Sequence, residues 1–186
     1  GEATLLKDDL LDSIAFCSEN YFKTRLITNA WWASTEKRAV ETVESFREAG
    51  LSEINFSADD YHQYGVKLDN IKNAWEASKN KGFNSVVIAN MIGPHSHITG
   101  AFISEYFKED IQEFWINKGK IPPISSARDG TKYLIANSYI QKLGRACSMP
   151  DAEIFYPLNP LSLKTRCMMV CKHPVLSADG NLFACC

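Results

Sequence analysis

The sequence predicts an α/β fold in which parallel strands are covered by helices in a barrel-like arrangement. Three observations predict it. Apolar runs of strand length alternate with stretches of helical periodicity, and the alternation repeats about every thirty residues, the length of a right-handed βαβ unit. The apolar run Val86-Val87-Ile88-Ala89 reads as a strand buried on both faces, as a parallel sheet requires. With 186 residues, 45% of them hydrophobic and 23% charged, the chain can build one sizeable core.

The elements follow in order. A first helix is expected over residues 8–19, where Leu10, Leu11, Ile14 and Ala15 recur at helical spacing and Asp8 and Asp9 favour the positive end of the helix dipole. A short strand follows at 25–28. Residues 35–49 read as a helix with Val40, Val43 and Phe46 on one face and Gly50 as its left-handed stop, and 53–57 as a strand. The next helix, 68–81, carries Leu68, Ile71, Ala74 and Trp75 on one side and ends at Gly82, ahead of the strand at 86–89. A helix over 101–117 comes next, Pro122-Pro123 breaks the regularity, and 133–141 supplies a further strand before Gly144-Arg145-Ala146. Past Pro150 the chain becomes loop-like through Pro157 and Pro160, and Asp179-Gly180 signals a hairpin between Val175-Leu176 and Leu182-Phe183. The expected division is 1–165 for the α/β domain and 166–186 for the start of a small second module.

Composition narrows the function. The net charge of −2 comes from interspersed acids and bases, which gives no basic face for a nucleic acid. No apolar run approaches the roughly 20 residues that span a bilayer, and no basic-then-apolar leader is visible, so no membrane partner is expected and the cytoplasm is the expected compartment. Gly-x-Ser-x-Gly and phosphate-loop motifs are absent. Cys17 and Cys147 stand alone, whereas Cys167, Cys171, Cys185 and Cys186 crowd the C-terminal segment. A disulfide framework spreads along a small domain; a terminal cluster reads more readily as metal ligands.

Ligand contacts in parallel α/β folds gather at the carboxyl ends of the strands. The polar residues there are Thr28-Asn29, Ser57-Ala58-Asp59-Asp60 and Asn90, with Gly1-Glu2 preceding the first helix. Singly, each is also what caps and turns use; jointly they mark a candidate site. His62 either faces substrate or caps the loop after Asp59. His95-Ser96-His97 would share a side if extended, but no third ligand of convincing spacing accompanies them. Trp31-Trp32 and the set Phe102, Tyr106, Phe107, Phe114 and Trp115 read as core before cavity lining.

Several of these segments resemble one family. Gly1-Glu2-Ala3-Thr4-Leu5-Leu6 is similar to the tail of the Gly-Gly-Glu-Pro-Leu-Leu motif of radical S-adenosylmethionine enzymes. Leu26-Ile27-Thr28-Asn29-Ala30 resembles the family's Thr-Asn-Gly strand end, and Ile54 to His62 resembles its Ile-x-x-Ser-x-Asp strand followed by a His. Gly144-Arg145-Ala146 has a counterpart late in the family's barrel. Cys171 followed by Gly180-x4-Cys185 looks like the opening of the auxiliary-cluster extension called the SPASM or twitch domain. Thr4 replaces the usual Pro and Ala30 the usual Gly. The family's Cys-x3-Cys-x2-Cys motif is not among these residues; in relatives it precedes the Gly-Gly-Glu motif, so the resemblance implies a fragment whose first strand and cluster loop lie upstream.

The resemblance implies a partial (βα)6 TIM-like barrel with a truncated Cys-rich auxiliary module. It further implies a parent enzyme in which a reduced [4Fe–4S] cluster cleaves S-adenosylmethionine to a 5′-deoxyadenosyl radical that abstracts hydrogen from a substrate, with a peptide or protein as a candidate. An electron donor such as ferredoxin or flavodoxin would serve it. Gly1 and Glu2 would meet the methionine ammonium; Ser57 and Asp59, with Asn29 as a weaker candidate, would meet the ribose hydroxyls or nearby polar groups. Cys171 and Cys185 would hold an auxiliary iron–sulfur cluster, with Cys167 as a rival first ligand and Cys186 as a spare. No catalytic side chain is implied. The isolated chain would lack radical activity and would expose a strand edge. The alternative class is a non-catalytic α/β metal-binding or interaction module with a C-terminal Cys cluster.

Overall fold

The N-terminal helix forms over Asp8–Glu19 (α1), preceded by a single 3-10 turn, Ala3–Leu6. The computed structural model describes residues 2–116, 123–140, 144–154, 174–177 and 179–184, and the chain divides into two units, Gly1–Phe155 and Tyr156–Cys186. In the first unit, α1 is followed by strand β1 (Arg25–Thr28), helix α2 (Glu36–Glu48), strand β2 (Glu53–Ser57), helix α3 (Leu68–Ser78) and strand β3 (Ser85–Ile92). Helix α4 (Gly100–Phe107) and strands β4 (Gln112–Trp115) and β5 (Lys132–Tyr139) complete it. In the second unit, Val175–Leu176 (β6) and Leu182–Phe183 (β7) pair antiparallel around Asp179-Gly180, with Gly180 at φ 84°. That is the hairpin the sequence signals.

Local chemistry explains the boundaries. The Thr35 hydroxyl accepts a hydrogen bond from the Arg38 amide at 3.3 Å and caps α2. Gly50 closes it at φ 92°, and a Cβ there would run into the side chain of Ser18 on α1. Helix α3 stops at Ser78, three residues before the expected end. Asn80 turns left-handed, at φ 58°, and its amide donates to the Tyr133 hydroxyl at 3.0 Å rather than continuing the helix.

The largest local departure lies in the stretch expected as one helix, 101–117. The helix ends at Phe107 because Lys108 takes a left-handed conformation, φ 58° and ψ 41°, and residues 112–115 form β4 instead. Phe114 and Trp115, apolar at helical spacing from Phe107, belong to a strand.

All five strands of the first unit are parallel, in the order β1-β2-β3-β5-β4. Strand β5 thus intervenes between β3 and β4, where sequential barrel order would put β4. The reason is physical: β5 has eight residues with Leu134, Ile135, Ala136 and Asn137 all buried, whereas β4 has four, none of them buried. The longer apolar strand takes the interior position.

One face of the sheet carries helices α1 to α4. Leu26, Ile54, Phe56, Val86, Ile88 and Ile135 form a single core with Ile14 of α1, Val43 and Phe46 of α2, Ile71 and Trp75 of α3, and Ile103 and Phe107 of α4. Each such side chain, fully buried, contributes about 1.5–3 kcal/mol. Because β1, β2 and β3 are added in sequence order with α2 and α3 on the same side, this half of the sheet is singly wound. On the opposite face, Val87, Leu134 and Ala136 pack with Phe114 and Ile124, but toward β1 the cover thins: Asn55 and Ser57 are half-buried and Ile27 is 57% exposed. Among the described residues no helix is long and apolar enough to cross a membrane.

Candidate functional site

The carboxyl ends of the strands gather buried polar side chains, as the parallel arrangement dictates. At the end of β1, Thr28 is 1% exposed and its hydroxyl accepts from the Ala30 amide at 3.1 Å and from Trp32 Nε1 at 3.2 Å. Two acceptor positions are then filled, so its proton must go elsewhere. It goes to Glu2 Oε1, at 2.8 Å. The Thr4 hydroxyl is committed the same way: it accepts from Trp31 Nε1 at 2.9 Å and donates to the same Glu2 oxygen at 2.7 Å. The Thr4 amide adds a third donor to Oε1 at 3.2 Å, and the Asn29 amide donates to Oε2 at 2.9 Å.

Glu2 is therefore the acceptor for four donors and ties the 3-10 turn to the end of β1. The Asn29 side chain is used locally, its Oδ1 accepting from the Trp31 amide at 3.0 Å. Ala30 then turns left-handed at φ 54° while fully buried, a conformation that costs an L-residue roughly 1–2 kcal/mol and that glycine, the usual residue of the resembling motif, adopts freely. Helix α3 holds this loop from the side: Asn70 Nδ2 donates to the Trp31 carbonyl at 3.1 Å and Asn73 Nδ2 to the Ala33 carbonyl at 3.0 Å.

After β2, Asp59 is 1% exposed. Its Oδ1 accepts from the amides of Tyr61 and His62, both at 3.1 Å, and lies 2.8 Å from His62 Nδ1. Its Oδ2 is buried with no hydrogen-bond partner. A buried carboxylate oxygen without a donor is costly and marks a place where a donor belongs. Asn55 Oδ1, on β2, is buried and unpartnered as well. Ser57, two residues farther along the same face as Asn55, is half-buried. Asp60 ties the next loop down: its Oδ2 accepts from the amides of His97 and Ile98 at 3.0 and 3.1 Å.

Between β3 and β5 two buried asparagines stand in register. Asn90 pairs with Asn137, Ala89 with Ala136 and Ile88 with Ile135, so the tripeptide Ile-Ala-Asn occurs twice and lies side by side. Asn90 Nδ2 donates to Asn137 Oδ1 at 3.2 Å and to the Ile98 carbonyl at 3.2 Å, while Asn137 Nδ2 donates to Glu113 Oε2 at 3.1 Å. That carboxylate sits over Gly100 at the start of α4, where a Cβ would overlap it. Asn137 and Glu113 were not sequence candidates; the repeated Ile-Ala-Asn was the signal for Asn137, and Glu113 carried none.

The sequence-derived candidates thus separate. Glu2 and Asn29 meet at the end of β1, and Ser57 and Asp59 sit together at the end of β2, the strand next to it. Gly1, Cys167, Cys171, Cys185 and Cys186 lie outside the described residues. Among the described residues, no three His, Cys, Asp or Glu side chains are grouped to hold a metal ion, the His95-Ser96-His97 segment included. Compared with known proteins, the chain matches no family model and no curated protein.

Proposed function

We propose that this chain is the barrel part of a radical S-adenosylmethionine enzyme, a partial (βα)6 barrel followed by the start of a SPASM- or twitch-type module. The observation that carries the reading is the meeting of Glu2, Thr28 and Asn29 at one strand end beside a buried, donor-less Asp59 carboxylate oxygen at the next. The one-sided helix cover of β1-β2-β3 supports it, since singly wound order is how barrels grow.

The described residues suit such a ligand by their chemistry. S-adenosylmethionine presents an ammonium and two ribose hydroxyls, all donors, and the buried unpartnered atoms on the strands and strand ends β2 and β3 are acceptors, Asn55 Oδ1, Asp59 Oδ2 and Asn90 Oδ1. Bound to a reduced [4Fe–4S] cluster, it supplies a hydrogen-abstracting radical. This chain's residues bind and orient: Glu2, fixed by four donors, offers the rest of Oε2 to the methionine ammonium, and Ser57 and Asp59 take the hydroxyls. Gly1 would continue the ammonium site. Cys171 and Cys185 would hold an auxiliary cluster, with Cys167 as a rival first ligand and Cys186 as a spare. The reading requires a Cys-x3-Cys-x2-Cys motif elsewhere in the same polypeptide. A peptide or protein substrate, a ferredoxin- or flavodoxin-like electron donor and a cytoplasmic setting go with it.

Anaerobic reconstitution of the polypeptide carrying this chain with iron and sulfide tests the proposal. Iron–sulfur absorption and release of 5′-deoxyadenosine from S-adenosylmethionine after reduction are expected. Failure to take up iron and sulfide would overturn it; tight zinc binding without sulfide would favour a non-catalytic module.

A further inference from the structure

The loops after β2 and β3 line an open cavity of about 360 Å³ that the cofactor reading leaves unused. That volume is at the lower end of ligand pockets, which run roughly 300–1,000 Å³. Asp60, Tyr61, Gln63, Tyr64, His97 and Glu153 are among the residues lining it. Two carboxylates face it, and none of its lining residues is a Lys or Arg.

The two acidic residues reach the cavity in different ways. Asp60 is immobilised by the His97 and Ile98 amides on Oδ2, which leaves Oδ1 as an acceptor. Glu153 comes from a distant segment, and Gly93 at the end of β3 lets it approach. A Cβ on Gly93 would stand 2.5 Å from the Glu153 carbonyl oxygen, 2.8 Å from Ile140 Cδ1 and 3.1 Å from the Tyr61 hydroxyl. The Tyr61 hydroxyl registers the negative field: burial raises its pKa, and Glu153, Asp60 and Asp59 raise it further. Gln63 also lines the cavity, and its Nε2 is buried without a hydrogen-bond partner.

We propose that this cavity receives a basic side chain of a peptide substrate, with arginine preferred. A guanidinium offers a planar fork of donors for Asp60 and Glu153 and a face that stacks on Tyr61 or Tyr64. The orphaned Gln63 amide turns outward to donate to a peptide carbonyl, which a free metal ion or a simple amine would not supply. A metal ion is disfavoured by the donor set itself, because among the described residues no three ligating side chains are grouped for one. The assignment of this cavity as the substrate end of an enzyme rests on the radical S-adenosylmethionine reading; its preference for a cation does not.

Calorimetric titration of the chain with acetyl-Gly-Arg-Gly-amide and with the citrulline isostere, which replaces the guanidinium by a neutral urea, tests it. The arginine peptide should bind at least about tenfold more tightly, the worth of one charge-assisted hydrogen-bonded pair. Glu153→Gln should remove that preference and leave the melting temperature and the citrulline affinity unchanged. Equal affinity for the two peptides, no binding of either at millimolar concentration, or an unaltered preference in Glu153→Gln would each overturn the proposal. Should Glu153→Gln lower the melting temperature, Asp60→Asn carries the same comparison. Neither iron, reductant nor S-adenosylmethionine enters the measurement, so its failure leaves the radical reading standing, and failed reconstitution leaves the cation preference measurable.

Discussion

Replacing Glu2 by Gln changes one atom of the side chain and almost nothing of its shape, so it isolates the demand for an acceptor. The Thr28 and Thr4 hydroxyls both give their protons to Oε1, and Thr28 has no other direction for its proton because the Ala30 amide and Trp32 indole occupy its lone pairs. Oε2 accepts from the Asn29 amide. Whichever oxygen becomes NH2, it meets a donor: the Asn29 amide in one orientation, two hydroxyls and the Thr4 amide in the other. A buried donor left unsatisfied costs about 1–3 kcal/mol, and the Oε2 side, which meets one donor where Oε1 meets three, is the cheaper one to lose. We expect Glu2→Gln to destabilise the chain by about 2 kcal/mol, which for a unit of this size lowers the melting temperature by about 4–8 °C. Glu2→Ala, which leaves room for water, should cost no more than the amide does. Thermal and urea denaturation followed by circular dichroism reads both. Stability of Glu2→Gln within about 0.5 kcal/mol of wild type, or clearly above that of Glu2→Ala, would refute the hydrogen-bond assignment.

Three further expectations use other parts of the molecule. Lys108 ends α4 at φ 58°, so Lys108→Gly should raise stability by about 0.5–1 kcal/mol in denaturant titration. Gly93→Ala should lower it by about 1–3 kcal/mol, because the added methyl meets the Glu153 carbonyl and Ile140, and should weaken peptide binding alongside. Slight burial raises the pKa of Asp129, but the Thr131 amide and hydroxyl and the Tyr133 hydroxyl donate to it and hold it below the ordinary carboxylate value. A carboxylate with a depressed folded pKa stabilises above its unfolded pKa, so Asp129→Asn should be destabilising at neutral pH and lose its effect as the pH falls below about 4; an effect that persists in acid would contradict this.

Much of the first unit was legible because its signals are local. The periodicity and acidic start of α1, the apolar face and Gly50 stop of α2, and the polar residues that end β1 and β2 all report conformation within one or two turns. What the sequence hid is non-local. Nothing in an apolar run says which neighbour it pairs with, so the insertion of β5 between β3 and β4 was not visible. The end of α4 was missed because Lys108 supplies a left-handed turn without a glycine and the aromatic spacing continues past it. The Glu153 carbonyl can lie against the end of β3 because Gly93, sixty residues earlier, lacks a side chain. The double Ile-Ala-Asn was readable as a repeat, but only its register shows that the two asparagines bond to each other.

The position of β5 also sets a timetable for the chain as it leaves the ribosome. Strands β1, β2 and β3 can pair as soon as each is made, since each joins the one before it. Strand β3 keeps an open, apolar edge until its in-register partner emerges 47 residues later. The polar end of the sheet is completed last, when Asn137 reaches Asn90, and until then the exposed flank of β3 is the surface that solvent, chaperone or another nascent chain will meet first.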